Sequence, residues 1–164
     1  MIHIITGEGK GKTSSAVGMT IRMSGYNKKI LFAQFLKGSD SGEINILSSL
    51  SNITVMRLSK NYGFLNTMST DEKEQIKKEH NQMLNHAISN SFDMIVLDEA
   101  IPAMNFNVLD KELLFNVLKK DCEIVLTGRD ADERLIKYAD YISEIKKIQH
   151  PFDSGIPARK GVEF

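Results

Sequence analysis

The chain is poor in cysteine, lacks a long apolar run and shows no leader at its amino end. Cys122 is the single cysteine among 164 residues, so no internal disulfide can form, and a reducing compartment is the simplest expectation. Met1 leads directly into a strand-like apolar run rather than into a signal peptide. No apolar stretch approaches the ~20 residues that span a bilayer. These absences predict a cytoplasmic protein without a membrane partner.

The chain also lacks net charge, since 21 Lys and Arg residues balance 21 Asp and Glu residues. Without a diffuse positive field it is not expected to bind nucleic acid in general, although a local basic pocket stays open. The four histidines show no metal-ligand spacing. His80 and His86 are six residues apart in a predicted helix, on different faces, and we expect both to be surface or partly packed residues.

Nothing in the chain marks a repeat, a low-complexity linker or a domain break, so we expect one domain over residues 1–164. Strands alternate with helices, which predicts an α/β fold with one mostly parallel sheet covered by helices on both faces. The predicted strands are residues 2–6, 30–36, 53–58, 93–97, 124–127 and 141–148. The predicted helices are residues 12–24, 43–50, 70–90, 111–119 and 130–138. Residues 149–164 are expected to form an ordered loop or arm.

A glycine-rich segment, Thr6-Gly7-Glu8-Gly9-Lys10-Gly11-Lys12-Thr13-Ser14, joins the first predicted strand to the first helix. Glycines let backbone N–H groups turn toward an anion, and the helix N-terminus adds its positive dipole end. We therefore predict that residues 7–14 bind a nucleoside triphosphate, with Lys12 reaching the terminal phosphates and Thr13 holding Mg²⁺. The segment is one residue shorter than the usual phosphate loop. A plain glycine-rich turn is the alternative.

Three further features are candidate parts of a functional site. The apolar strand that ends in Asp98-Glu99 predicts a carboxylate site for Mg²⁺ or Mn²⁺, the alternative being a strand that simply ends in solvent. Arg129 follows the fifth strand and can bind phosphate, as can Arg22 in the first helix. Either arginine can equally be an ordinary surface residue. Phe64, in a glycine-containing loop, serves either packing or function.

The chain resembles the corrinoid adenosyltransferases of the phosphate-loop type, which act on ATP and cob(I)alamin. Beside the glycine-rich segment, the resemblance rests on Gln34-Phe35-Leu36-Lys37-Gly38, Gly63-Phe64, Val96-Leu97-Asp98-Glu99, Thr127-Gly128-Arg129 and the tail His150-Pro151-Phe152-Asp153-Ser154-Gly155-Ile156 with Gly161-Val162-Glu163-Phe164. It covers nearly all of the chain. It implies a fold like that of the P-loop NTPases (RecA-like).

The resemblance implies a transferase. Members of this family move the 5′-deoxyadenosyl group of ATP to Co(I) of cobalamin or an incomplete corrinoid and release triphosphate. ATP lies in the reverse sense from that in most phosphate-loop proteins. Lys12, Arg22 and Arg129 would then neutralise the triphosphate, while Asp98 and Glu99 would serve the metal or nucleotide rather than activate water.

The resemblance also implies protein partners and a role for Phe64 in binding the corrinoid. Phe64 matches the aromatic that displaces the lower axial ligand of the corrinoid, whereas Asn66 stands where family members carry another aromatic. Members form homodimers and receive electrons from a reduced flavoprotein. The alternatives to the transferase are a phosphate-loop ATPase or small-molecule kinase of similar fold, and a non-catalytic nucleotide or corrinoid binding module.

Overall fold

The computed structural model describes residues 1–39, 41–63 and 67–163. Its strands are β1 (Ile2–Thr6), β2 (Ile30–Gln34), β3 (Ile53–Arg57), β4 (Met94–Asp98), β5 (Glu123–Thr127) and β6 (Tyr141–Glu144). Its α-helices are α1 (Lys12–Ser24), α2 (Gly42–Ser49), α3 (Thr70–Ser89), α4 (Ala100–Asn105), α5 (Lys111–Val117) and α6 (Glu133–Ile136). A 3-10 helix covers Pro151–Ser154 in the tail.

The strands form one sheet in the order β3-β2-β4-β5-β1-β6, and every pair of neighbours is parallel. Short apolar strands separated by helices favour this arrangement, because each crossover returns the chain to the same end of the sheet. The predicted α/β fold class is confirmed. The carboxyl ends of the strands meet at one edge, where ligands of such sheets usually bind.

Both faces of the sheet are apolar, which explains why the central strands are buried along their whole length. Side chains alternate across a strand. In β2, Leu31 and Ala33 join a core with α3, α4 and α5, whereas Ile30 and Phe32 join a second core with α1 and α2. The helices therefore cover the sheet from both sides, as predicted.

Helix α3 begins with a capping box, in which Ser69 and Glu72 exchange side-chain and backbone hydrogen bonds. The prediction that His80 and His86 are surface or partly packed residues is wrong for His80, which is fully buried. Glu79 is also buried. Both residues face the loops that follow β2 and β3, where polar partners compensate for the loss of water.

The largest differences between the predicted and the observed elements concern α4, α6 and β6, while β2 and α5 each end two residues earlier than predicted. Helix α4 is not among the predicted helices, because it has only six residues and contains a proline. It begins directly after Glu99, whose φ of 59° is left-handed. Helix α6 is shorter than predicted. Strand β6 ends at Glu144 because its partner β1 ends at Thr6, and the next residues cross over the glycine-rich segment instead. Among the described residues, none of the helices is both long and apolar enough to cross a membrane.

Candidate active site

The glycine-rich loop, defined here as residues 7–11, lies between β1 and α1 at the carboxyl edge of the sheet. Gly7 and Gly11 have φ values of 100° and 122°, which residues other than glycine rarely adopt. A Cβ at Gly7 would lie 2.5 Å from the Ile145 carbonyl oxygen, and one at Gly9 would lie 2.7 Å from the Ile145 side chain. The loop therefore needs glycine both for its turn and because the segment after β6 lies directly against it.

One loop amide is already engaged. The Gly9 N–H donates to the Ile145 carbonyl oxygen at 2.7 Å, which differs from the expectation that it faces an anion. The first intrahelical bond of α1 joins Ser15 N–H to the Gly11 carbonyl oxygen. The amides of residues 12–14 lie in the first turn before it and lack helical partners. These three amides of α1, with the positive end of the helix dipole, are available to an anion at the end of the loop.

Lys12 begins α1 and turns back over the loop. Its Nζ donates to the carbonyl oxygens of Gly7 at 2.7 Å and of Gly9 at 2.9 Å. Burial lowers the pKa of this amine, and the nearby Arg129 cation lowers it further. A partly desolvated ammonium held by neutral carbonyls gains strongly from an anionic ligand.

Asp98 is the centre of a buried hydrogen-bond network at the end of β4. Its Oδ1 accepts from Thr13 Oγ1 at 2.9 Å and from Thr127 Oγ1 at 2.7 Å. Its Oδ2 accepts from Gln34 Nε2 at 3.2 Å and from Lys37 Nζ at 3.4 Å. Four elements of the sheet edge thus converge on one carboxylate, which is fully buried.

Glu99 is held differently from its neighbour. Its left-handed backbone is fixed by a hydrogen bond from its N–H to Thr127 Oγ1 at 2.9 Å. Burial raises the pKa of the Glu99 carboxyl, and the Asp98 carboxylate adds to the effect. The side chain lines the pocket beside the loop, together with Lys12 and Arg129.

That pocket has a volume of about 530 Å³. Arg129 lies at its wall and forms an ion pair with Glu8 at 3.1 Å, both side chains being exposed. The lining residues come from the loop and α1, from the ends of β4 and β5, and from the tail: Glu8, Gly9, Lys10, Gly11, Lys12, Thr13, Ser14, Glu99, Arg129, Lys147, His150, Phe152, Asp153, Val162 and Glu163. The structure therefore gathers residues 8–14 of the predicted nucleotide-binding segment, Glu99 and Arg129 around one cavity.

Four predicted site residues are not in this group. Gly7 and Asp98 do not line the cavity, although the Gly7 carbonyl oxygen accepts from Lys12 Nζ and Asp98 Oδ1 accepts from Thr13 Oγ1. Arg22 is exposed in the last turn of α1, ten residues and roughly 15 Å along the helix axis from Lys12. The structure does not bring it to the loop. Phe64 lies outside the described residues, as does Asn66.

Sequence reasoning gave no role to Gln34, Lys37 or the tail. Lys10 Nζ donates to Glu163 Oε1 at 3.1 Å, so the tail reaches the loop across 153 residues of sequence. The family resemblance was the one signal in the sequence that pointed to these residues, because the segments that carry it include both the Gln-Phe-Leu-Lys-Gly run and the tail. Spacing alone could not place either beside the loop.

The donor set fits Mg²⁺ or Mn²⁺ bound with a nucleotide. In the described ranges, no three His, Cys, Asp or Glu side chains come together as a metal site. Asp98 and Thr13 offer one carboxylate and one hydroxyl, and the Gln34 Oε1 atom is buried with no hydrogen-bond partner among those residues. Mg²⁺ typically takes one or two carboxylates and fills its other positions with phosphate oxygens and water.

Comparison with known proteins agrees with this geometry. Residues 1–164 match the model of the family ATP:corrinoid adenosyltransferase BtuR/CobO/CobP. The corrinoid adenosyltransferase of Escherichia coli strain K12 is 31% identical over 173 residues, covering all of this chain and 85% of that protein. Corrinoid adenosyltransferase CobA of Salmonella typhimurium strain LT2 is 30% identical over 176 residues, again covering all of this chain and 85% of the relative. The chain therefore belongs to the ATP:corrinoid adenosyltransferase family, as its sequence motifs predicted.

Proposed function

We propose that this chain transfers the 5′-deoxyadenosyl group of ATP to the Co(I) of cobalamin or a corrinoid precursor and releases triphosphate. The observation that carries the proposal is the family match over all of residues 1–164. The pocket beside the loop supports it, because its cations and helix N-terminus suit a polyanionic leaving group.

In this reaction, an electron pair of Co(I) attacks the ribose C5′, and the bond between C5′ and the α-phosphate oxygen breaks. The cobalt pair forms the new Co–C bond, and the triphosphate leaves with the electron pair of the broken C5′–O bond. The group that needs stabilisation is therefore the phosphate chain rather than an attacking water. Lys12 and the first amides of α1 supply positive charge where the negative charge grows, with Arg129 at the pocket wall. Holding C5′ in line with cobalt supplies much of the remaining rate.

Thr13 and Asp98 are the residues that would hold Mg²⁺ or Mn²⁺, and Glu99 lies next to them. When bound, the metal neutralises phosphate charge. Asp98 accepts four hydrogen bonds from Thr13, Thr127, Gln34 and Lys37, which leaves it poorly suited to take a proton from water. This supports a role in holding the cation.

The decisive experiment follows both products anaerobically. The protein, ATP, Mg²⁺ and chemically prepared cob(I)alamin should give the spectrum of an alkyl corrinoid together with triphosphate in equal amounts. No triphosphate is expected without the corrinoid. Formation of ADP and phosphate, with an unchanged corrin spectrum, would contradict the transferase and favour a phosphate-loop ATPase or kinase.

Phe64 is proposed to cover the lower face of the corrinoid and displace its axial ligand, which makes Co(II) easier to reduce. The Phe64→Ala variant should therefore lose more activity when the assay starts from Co(II) and a reductant than when it starts from Co(I). The measurement is the ratio of the two rates in variant and wild type. Equal losses from both starting states would remove this role.

The remaining parts of the proposal concern the cell. We propose a cytoplasmic homodimer that receives electrons from a reduced flavoprotein, supported by the family resemblance and by the single cysteine. Sedimentation at several protein concentrations tests the dimer. A purified flavodoxin, reduced in the assay, tests the electron donor. A negative result for the dimer or for the donor would leave the proposed adenosyl transfer itself standing.

A further inference from the structure

The segment after β2, Gln34-Phe35-Leu36-Lys37-Gly38, brings a lysine to the carboxylate that is proposed to hold the metal. Lys37 Nζ lies 3.4 Å from Asp98 Oδ2 and 3.3 Å from Thr13 Oγ1. Asp98 is fully buried, whereas 38% of the Lys37 side chain is exposed. The ammonium therefore touches both residues of the proposed metal pair and keeps open space on its other side.

The direction of Lys37 is set by a strained turn that α3 holds in place. Leu36 has a φ of 60°, an unfavourable value for a side chain of its size. Its N–H donates to His80 Nε2 at 3.1 Å. His80 Nδ1–H in turn donates to the Val108 carbonyl oxygen at 2.8 Å. The imidazole is thus the neutral tautomer with its proton on Nδ1, and it packs against Phe35 with ring centroids 4.9 Å apart.

A buried carboxylate needs a compensating positive charge, and two cations cannot share one site without repulsion. In the structure, Lys37 supplies that charge to Asp98. A divalent cation on Asp98 and Thr13 would repel the ammonium from its place. The lysine stem is flexible, and the phosphates of a nucleotide bound at Lys12 and Thr13 are the nearest alternative anion.

We propose that Lys37 is a further triphosphate-binding residue, held on Asp98 and Thr13 until a divalent cation with its nucleotide displaces it onto the phosphates, and that His80 is its positioning residue. This inference rests on the proposed function and deepens it. Lys37 therefore exchanges one anionic partner for another as substrate binds, so no buried charge is left unpaired at either stage.

The first test measures cation binding without any nucleotide. Loss of the free Mn²⁺ signal in electron paramagnetic resonance reports how tightly the protein takes up the metal alone. Lys37→Met should bind Mn²⁺ about tenfold more tightly than wild type, because Asp98 loses its internal cation. The matched control is Lys77→Met, which removes an exposed lysine from α3 and should behave as wild type. If wild type and Lys37→Met bound Mn²⁺ equally, or if neither bound it, the proposed displacement of Lys37 by the cation would be overturned.

The second test uses inorganic tripolyphosphate at saturating Mg²⁺, measured by isothermal titration calorimetry. Lys37→Met should bind it at least tenfold more weakly than wild type, and Lys77→Met should bind it normally. Normal binding by Lys37→Met would overturn the inference while leaving the proposed function standing. Failure of wild type to bind tripolyphosphate would instead overturn the proposed nucleotide site itself.

The third test concerns His80 and separates positioning from stability. An Asn amide nitrogen reproduces the Nδ1 position, whereas a Gln amide oxygen reaches the Nε2 position and can accept from Leu36 N–H. Both variants should lower stability, but His80→Gln should keep tripolyphosphate affinity within about threefold of wild type while His80→Asn loses at least tenfold. Equal affinities for folded samples of the two variants would overturn the positioning role.

Discussion

At the scale of single residues, the site is organised by charges that hold one another. Lys12 is tied to two loop carbonyl oxygens, and Asp98 is tied to two threonine hydroxyls, an amide and an ammonium. Lys12 and Asp98 therefore keep fixed positions before substrate arrives, which limits the reorganisation that binding requires of these two groups. The consequences are specific for each side chain.

Replacement of Lys12 by alanine removes the cation closest to the loop carbonyls. We expect the turnover number for triphosphate release to fall by at least about a hundredfold, or roughly 3 kcal/mol, as for loss of one preorganised transition-state donor. The measurement is anaerobic release of triphosphate with cob(I)alamin and saturating ATP. Lys78→Ala on the exposed face of α3 serves as the control and should turn over normally. Turnover of Lys12→Ala close to wild type would remove the assigned role.

His80 gives the protein a stability that depends on pH. Burial lowers its pKa from 6.5 to about 4, opposed by the hydrogen bond to Val108. As the pH falls, His80 takes up a proton at a higher pH in the unfolded chain than in the folded one. Its contribution to the free energy of unfolding is therefore fully present above pH 6.5 and is lost as the pH falls toward 4. Between pH 7.5 and pH 5, the free energy of unfolding in urea should decrease by about 2 kcal/mol from this group. His80→Gln should lose that part of the slope, and an unchanged slope would contradict it.

At the scale of elements, α3 joins the two loops that follow β2 and β3. His80 holds the turn after β2, and Glu79 accepts hydrogen bonds from the backbone and hydroxyl of Ser59 and from Tyr62 after β3. Burial by itself raises the pKa of Glu79, but the hydrogen bonds from Tyr62 and Ser59 outweigh it and lower the value to about 2. Consecutive residues of one helix thus fix both loops.

The two loops also touch each other at Gly38, where an added Cβ would overlap the Lys60 backbone carbonyl. Gly38→Ala should therefore lower the free energy of unfolding by about 1–3 kcal/mol through overpacking. Gly18→Ala is the matched control, since nothing lies within 4 Å of its added Cβ in α1, and it should stabilise by about 0.5–1 kcal/mol. Urea unfolding measures the free energy of unfolding of both variants. An unchanged value for Gly38→Ala would refute the close contact between the two loops.

At the scale of the whole molecule, the core and the tail have separate tasks. The buried apolar residues of the described chain end with Leu135, whereas residues 151–162 are exposed. The tail nevertheless lines the pocket and bonds the loop through Glu163 and Lys10. It therefore belongs to the candidate site rather than to the hydrophobic core.

A chain that stops after residue 149 tests this division. We expect its free energy of unfolding to stay within about 1 kcal/mol of the full chain, because the pairs it loses are exposed. Its affinity for ATP with Mg²⁺ should fall at least tenfold, since one wall of the pocket is gone. Circular dichroism during urea unfolding and calorimetric titration give the two values. Loss of folding, or unchanged affinity, would contradict the assignment.

The sequence by itself determined what local pattern encodes. Apolar strands, the capping box of α3 and the glycine-rich loop with Lys12 and Thr13 all depend on neighbours within a few residues, and together with the resemblance they established the fold class and family. The prediction of one domain over residues 1–164 stays a prediction. Tertiary structure alone decided that His80 is buried, that Lys37 reaches Asp98 across 61 residues and that Glu163 reaches Lys10. Such contacts depend on where the parallel sheet brings distant strand ends and loops together, and no spacing along the chain records those distances.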